Sequence, residues 1–303
     1  MLGISTCWWE DASLSGDALI GQVLDMGFEG VELEYRITNP LYHQMKPYLN
    51  KKVKVLSIHN FFPRTEELLG RAASGDFFLL SSPDKDERSM AVKYSVRTIE
   101  HACDLEAKAV VLHLGRVDMP VSIDTLRNSY KNVIMDQDDG KKFLKNQMDI
   151  RESKSLKNLD AALFSLEKLN REAEKKGVFL GVENRHYTHE IPNFDEIGII
   201  MGEFKGGMVR YWHDVGHAAV QENLGLCRQM DLLDAYSKDM IGVHLHDVEG
   251  LDDHLAPGMG KIEYEKITPY IKPHLIKILE VHSRVEREAL EDGARFMKEK
   301  VLK

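Results

Sequence analysis

Cysteine is scarce. The chain of 303 residues holds three, Cys7, Cys103 and Cys227, scattered and odd in number, with no CxxC pair. That argues against a disulfide framework and fits a reduced, cytoplasmic setting. No apolar stretch is long enough to cross a bilayer. The start, Met1-Leu2-Gly3-Ile4-Ser5, has neither a basic leader nor a long apolar run, so a signal peptide is not expected. Positive charge is in deficit: 40 Lys and Arg against 49 Asp and Glu give a formal net charge of -9. A general nucleic-acid or anionic-membrane binder would carry the opposite balance. No GxGxxG follows the first apolar segment, which counts against a dinucleotide-binding open sheet. Internal repeats and low-complexity tracts are missing too.

What is present suits a large core. Hydrophobic residues make up 43% and charged residues 29%, a globular balance. Short apolar or β-branched segments bounded by turn residues predict eight strands, at Leu2–Thr6, Gly30–Tyr35, Val53–His59, Ala109–Leu114, Val178–Glu183, Met208–His213, Ile241–His246 and Ile276–Val281. Amphipathic stretches lie between them. One spans Ala18 to Met26 and stops at Gly27; others run Met90–Leu105, Leu156–Lys175 and Arg287–Leu302. The alternation predicts an α/β fold, a single (β/α)8 barrel over residues 1–303, with a doubly wound sheet as the alternative. Residues 61–88 and 116–155, after the third and fourth strands, exceed what a minimal barrel needs and are expected as long loops over its mouth. The acidic run Met135–Gly140 lacks the glutamate of a calcium loop and reads as a solvated turn.

Several strands end on residues that can bind a metal. A carboxylate or imidazole at the end of a buried strand is costly unless paired or ligated. Glu183 and Glu280 are each the lone acid ending an apolar segment. Two carboxylates flanking a substrate can remove a proton on one side and return it on the other; alternatively each pairs with a nearby Arg185 or Arg284. Asp214 and His217 lie three apart just past a strand, either both facing one ion or forming a capped helix start. His244 and His246 share one strand face by alternation. Asp252 and His254 lie in a loop closed by Pro257-Gly258, where a histidine is commonly just solvated. His59 and His113 end the third and fourth strands, as ligands or as hydrogen-bonded structural residues. Imidazole and carboxylate suit Zn²⁺, Mn²⁺ or Co²⁺, and no cysteine is near for a thiolate site. Gly206-Gly207 reads as a helix-stopping turn, not a phosphate cradle. Trp8, Trp9 and Phe61-Phe62 form either an apolar wall for a sugar ring or simple packing. Glu32 and Glu34 share a face, and Glu34 either assists at the site or pairs with Arg36.

Together these segments resemble the xylose isomerase-like barrels, the group that contains sugar-phosphate isomerases and epimerases and also endonuclease IV. The carriers are Leu2–Thr6, Gly27-Phe28-Glu29-Gly30-Val31-Glu32-Leu33, Val111–Gly115, Val182-Glu183-Asn184, Asp214-Val215-Gly216-His217-Ala218, His244-Leu245-His246-Asp247 and His254–Gly260. The resemblance spans nearly the whole chain and does not name a substrate. It implies one divalent metal (Mn, Zn, Co or Mg) held by Glu183, Asp214, His244 and Glu280. Glu183 and Glu280 would double as acid and base, and His217 would contact substrate oxygen. The implied reaction is isomerisation or epimerisation of a sugar, sugar phosphate or keto/hydroxy acid through a cis-enediolate. Dehydratases of the family use nearly the same ligands. The nuclease branch uses three zinc ions, whose nine ligands would fall on His59, His113, Glu183, Asp214, His217, His244, Asp252, His254 and Glu280; the acidic balance disfavours DNA. His246 is a further candidate for substrate or metal. A barrel that binds sugar without turnover is disfavoured by the intact pair of glutamates. Oligomeric state is left open.

Overall fold

The computed structural model describes residues 1–9, 13–120 and 138–302. Eight parallel strands close into a barrel: β1 (Gly3–Ser5), β2 (Gly30–Leu33), β3 (Lys54–His59), β4 (Ala109–Leu112), β5 (Phe179–Glu183), β6 (Val209–Asp214), β7 (Met240–Leu245) and β8 (Ile276–Leu279). Each pairs with its neighbours in chain order, and β8 closes onto β1. The helices between them are α1 (Gly16–Asp25), α2 (Asn39–Met45), α3 (Lys85–Asp104), α4 (Asp138–Lys176), α5 (Phe194–Glu203), α6 (Val215–Asn223), α7 (Gln229–Tyr236), α8 (Tyr264–Ile267) and α9 (Arg287–Phe296). Strand and helix order match the sequence reading. Among the described residues, no helix is long and apolar enough to cross a membrane.

The strands bury two apolar layers. Outward-facing residues such as Val31, Val110, Leu180, Val243 and Leu279 meet the helices. Ala109, Val111, Trp212, Ile276 and Ile278 fill the lumen. Trp212 is fully buried there. Its neighbours on β5 and β7 are Gly181 and Gly242, where an added Cβ would come within 2.8 Å and 2.2 Å of the indole. Truncating an aromatic so placed costs about 3–5 kcal/mol.

This layer aims the polar residues above it. Side chains alternate along a strand, so two residues beyond each filler the same face reappears higher in the lumen. Val111 leads to His113, Gly181 to Glu183, Trp212 to Asp214, Gly242 to His244 and Ile278 to Glu280. His213 is out of phase. It faces away with Tyr211, whose hydroxyl lies 2.7 Å from its Nδ1.

The long loop after β3 runs from residue 60 to 84 and contains one helical turn, Glu66–Leu68. The segment after β4 is shorter than expected. Residues 121–137 lie outside the described residues, including Met135–Gln137 of the acidic run. From Asp138 the chain is helical, so residues 138–155 are the first half of a 39-residue helix rather than loop. No proline interrupts this stretch. Its buried face carries Gln147 and Arg151 rather than aliphatics, so no apolar period marks it in the sequence. Arg151 is neutralised by a two-pronged pair with Glu196, at 2.9 Å and 2.6 Å, and also donates to Glu190 O at 2.9 Å. Glu196 completes the Asn193 capping box that starts α5.

Two antiparallel ribbons dress the mouth. Gly115–Arg116 pairs with Glu190–Ile191, and Asp247–Glu249 pairs with Asp252–Leu255. Phe61 and Phe62 are fully buried, so packing is the reading that holds for them. Trp8 Nε1 donates to Val285 O and Trp9 Nε1 to Gln22 Oε1; both close the region around β1. Gly206, with φ +83°, is in the left-handed conformation of a helix stop.

Candidate active site

Four strand ends meet at one imidazole. His244 Nδ1 lies 2.6 Å from Glu183 Oε1, 3.0 Å from Glu280 Oε2 and 3.6 Å from Asp214 Oδ2. All four residues are buried, with ligand-capable atoms within 4.8 Å of one another. Burial pushes the Glu183 carboxyl up, but hydrogen bonds from His113 and His244 outweigh it and hold the group well below the usual range. Glu280 is raised by burial and lowered further by His244 and His254, with the same net result. Both are therefore ionised. Asp214 serves twice: it joins this group and its Oδ1 accepts from His217 N at 2.6 Å, capping α6. Asn184 holds it in place. Its Nδ2 donates to Asp214 O at 2.9 Å, and its Oδ1 accepts from Asp214 N at 2.8 Å.

The second oxygen of Glu183 faces elsewhere. Oε2 lies 2.7 Å from His113 Nε2, 3.2 Å from Arg185 Nη1 and 4.0 Å from His59 Nε2. Arg185 is in turn gripped by Glu190 Oε1, at 2.7 Å and 3.1 Å. The expected ion pair of Glu183 with Arg185 thus exists beside the metal-competent geometry. Glu34 pairs with Arg36 at 2.8 Å. Gly75, from the loop after β3, sits directly on His113 and His59: an added Cβ would be 2.7 Å from one ring and 3.1 Å from the other.

A further set lies nearer the rim. His246 Nε2 is 2.9 Å from Asp214 Oδ1, and His246 Nδ1 accepts from His254 N at 2.9 Å. The rings of His246, His254 and His282 stack at 4.1 Å and 4.0 Å. His254 holds a left-handed φ of 56° to reach this position, a strained conformation for a non-glycine residue. Burial pulls the His217 imidazole down to about 3 despite Asp214.

Asp252 does not join the group. It is exposed and pairs with Arg284 at 2.6 Å. Its neighbour Asp253, on the opposite face of the ribbon, turns inward instead and accepts from His186 Nε2 at 2.7 Å. Alternation in a strand that the sequence did not reveal decides between the two. His186 was also missed, because it stands on the loop after β5 where no periodicity marks it. Burial lowers its imidazole, but Asp253 and Glu190 outweigh that and push it up to about 9.

The described residues offer three other sets with metal-ligand spacing: His59, His113 and Glu183; Asp214, His217, His246 and His254; and His186, His217 and Asp253. The deepest set fits a divalent cation best by donor chemistry. Three carboxylates are buried together with one imidazole, which leaves net negative charge to neutralise, and the hard oxygen donors suit Mg²⁺, Mn²⁺, Co²⁺ or Zn²⁺. A cavity of about 430 Å³ opens above it, lined by residues that include Tyr35, Asp76, His113, His186 and Glu280.

The family model of the xylose isomerase-like TIM barrel matches residues 20–300. The chain belongs to this family. Among solved xylose isomerase-like barrels, a D-tagatose 3-epimerase-like protein is similar with a TM-score of 0.67 at 18% identity, over 98% of this chain and 96% of that one. The apo form of 3-keto-D-glucoside 4-epimerase from E. coli gives 0.68 at 13% identity, over 98% of each chain. The IOLI protein with a bound zinc atom gives 0.65 at 13% identity, over 99% of this chain and 97% of that one. No curated protein matches the sequence.

Proposed function

We propose that the protein is a divalent-metal-dependent isomerase or epimerase of a small sugar or sugar phosphate. The observation that carries this is the buried convergence of Glu183, Asp214, His244 and Glu280 under a cavity of small-substrate size. Epimerases among the similar structures, and one with zinc, support the reading. A bound cation would act as a Lewis acid on a substrate carbonyl and acidify the adjacent C–H. The chain's own residues supply the rest. Glu183 and Glu280 arrive from different strands; one takes the carbon-bound proton and releases it to solvent, while the other, protonated from solvent, delivers a proton to the opposite face. Arg185 and His113 hold the outward oxygen of Glu183. His217 and His186 stand at the rim, within reach of substrate hydroxyls. A dehydratase would use the same two acids on a neighbouring carbon. The Gly75 loop seated over His59 and His113 disfavours an open nucleic-acid groove on that side.

The test is solvent exchange. Manganese- or cobalt-loaded protein is incubated in D₂O with a panel of ketoses and ketose phosphates. Deuterium at the carbon beside the carbonyl, lost in Glu183→Gln and Glu280→Gln, is the expected result. Turnover without solvent deuterium, or full exchange in both variants, contradicts the two-carboxylate mechanism.

A further inference from the structure

The His244 ring is held from both edges. Its Nδ1 edge faces the three carboxylates of the deep group. Its Nε2 edge faces Glu32, with both carboxylate oxygens at 3.2 Å. Glu32 lies on β2, across the lumen from β7, and is fully buried. Its Oε2 also accepts the Ser57 hydroxyl from β3 at 2.7 Å. Among the described residues its one ion pair is with His244. A buried carboxylate is costly without partners, and Glu32 meets the imidazole of His244 and the hydroxyl of Ser57.

We infer that Glu32 is a positioning residue: it takes the Nε2 proton of His244 as a hydrogen bond and so turns the Nδ1 lone pair toward the cation site. The ring stands between Glu32 and the other carboxylates, so Glu32 orients the ligand without becoming one. A histidine ligand whose far nitrogen donates to a carboxylate is fixed in tautomer and orientation and is a better donor. Ser57 serves the same end by holding one oxygen of Glu32, so β2 and β3 together set the aim of a ligand carried by β7. This rests on the proposed metal centre, and its test separates the two.

The measurement is the affinity of the full chain for Mn²⁺ and Zn²⁺ by chelator competition, in wild type and in Glu32→Gln, with circular dichroism as the check on folding. Gln keeps the shape but removes the charge. The expected result is an affinity weaker by about 10- to 100-fold, the usual effect of losing such a partner. A folded Glu32→Gln protein with unchanged affinity overturns the inference and leaves the metal centre standing. A wild type that binds neither ion overturns the metal centre itself. If Glu32→Gln does not fold, nitrogen NMR of the zinc-loaded wild type decides: a proton on His244 Nε2 supports the inference, and one on Nδ1 overturns it.

Discussion

Glu183, Asp214, His244 and Glu280 are placed by the ends of four barrel strands, whereas His186, Asp253, His254 and His282 are placed by segments beyond them. The first set is aimed by packing. The Trp212 layer and its flanking glycines fix where the next lumen-facing side chain emerges. The second set is aimed by a polar network in which Arg151 holds Glu196 and the Glu190 carbonyl, Glu190 holds Arg185, and Asp253 holds His186. Under the proposed function, proton transfer falls to the strand-borne set and substrate binding to the set whose supports can be removed one at a time.

Breaking the strand-borne set should have the largest effect. Glu183→Gln or Glu280→Gln should each lower turnover about 100- to 10,000-fold, the usual range for a proton-transferring group, with an unchanged circular dichroism spectrum. Next comes the root of the network. Arg151→Met strands Glu196 without its buried partner and should cost about 3–5 kcal/mol in urea unfolding. A cost near zero would mean that packing, not the ion pair, holds the loop after β5.

The adjacent aspartates sharpen the contrast further. Asp253→Asn should raise KM roughly tenfold with kcat little changed, as expected for a charge-assisted hydrogen bond that positions a binding residue. Asp252→Asn, on the exposed face, should alter stability by less than about 0.5 kcal/mol and KM not at all. Equal effects from the two would erase the distinction between inward and outward faces.

The smallest effect appears only in acid. Burial holds His213 down to about 4, against 6.5 when exposed. Unfolding therefore takes up a proton between those values. Its contribution to stability is complete above about 6.5 and is lost as pH falls through about 4. His213→Gln should flatten the fall of the urea midpoint over that window and leave activity alone, since His213 points away from the lumen. An equally steep fall in the variant would place the acid sensitivity elsewhere.

The barrel and its strand-borne residues were legible because a period of two is written into each strand: one filler, one residue facing out, one ligand-type residue. The rim was less so. Asp252 and Asp253 are chemically identical in sequence, and only the ribbon's facing separates them. His186 stands where no period runs. The first half of α4 was hidden because its buried contacts are polar, and Arg151 resembles a solvated charge until Glu196 is placed against it. Glu32 was seen to share a face with Glu34, but nothing local shows that it meets a histidine 212 positions away.

Metal content tests the central claim most directly. Purified protein, loaded with manganese or zinc and desalted, is weighed for metal per chain by elemental mass spectrometry, beside Asp214→Ala and His244→Ala. About one divalent ion per wild-type chain, lost in both variants, is the result this account requires. No retained ion in wild type, or two to three zinc ions that persist when His244 is removed, would contradict it.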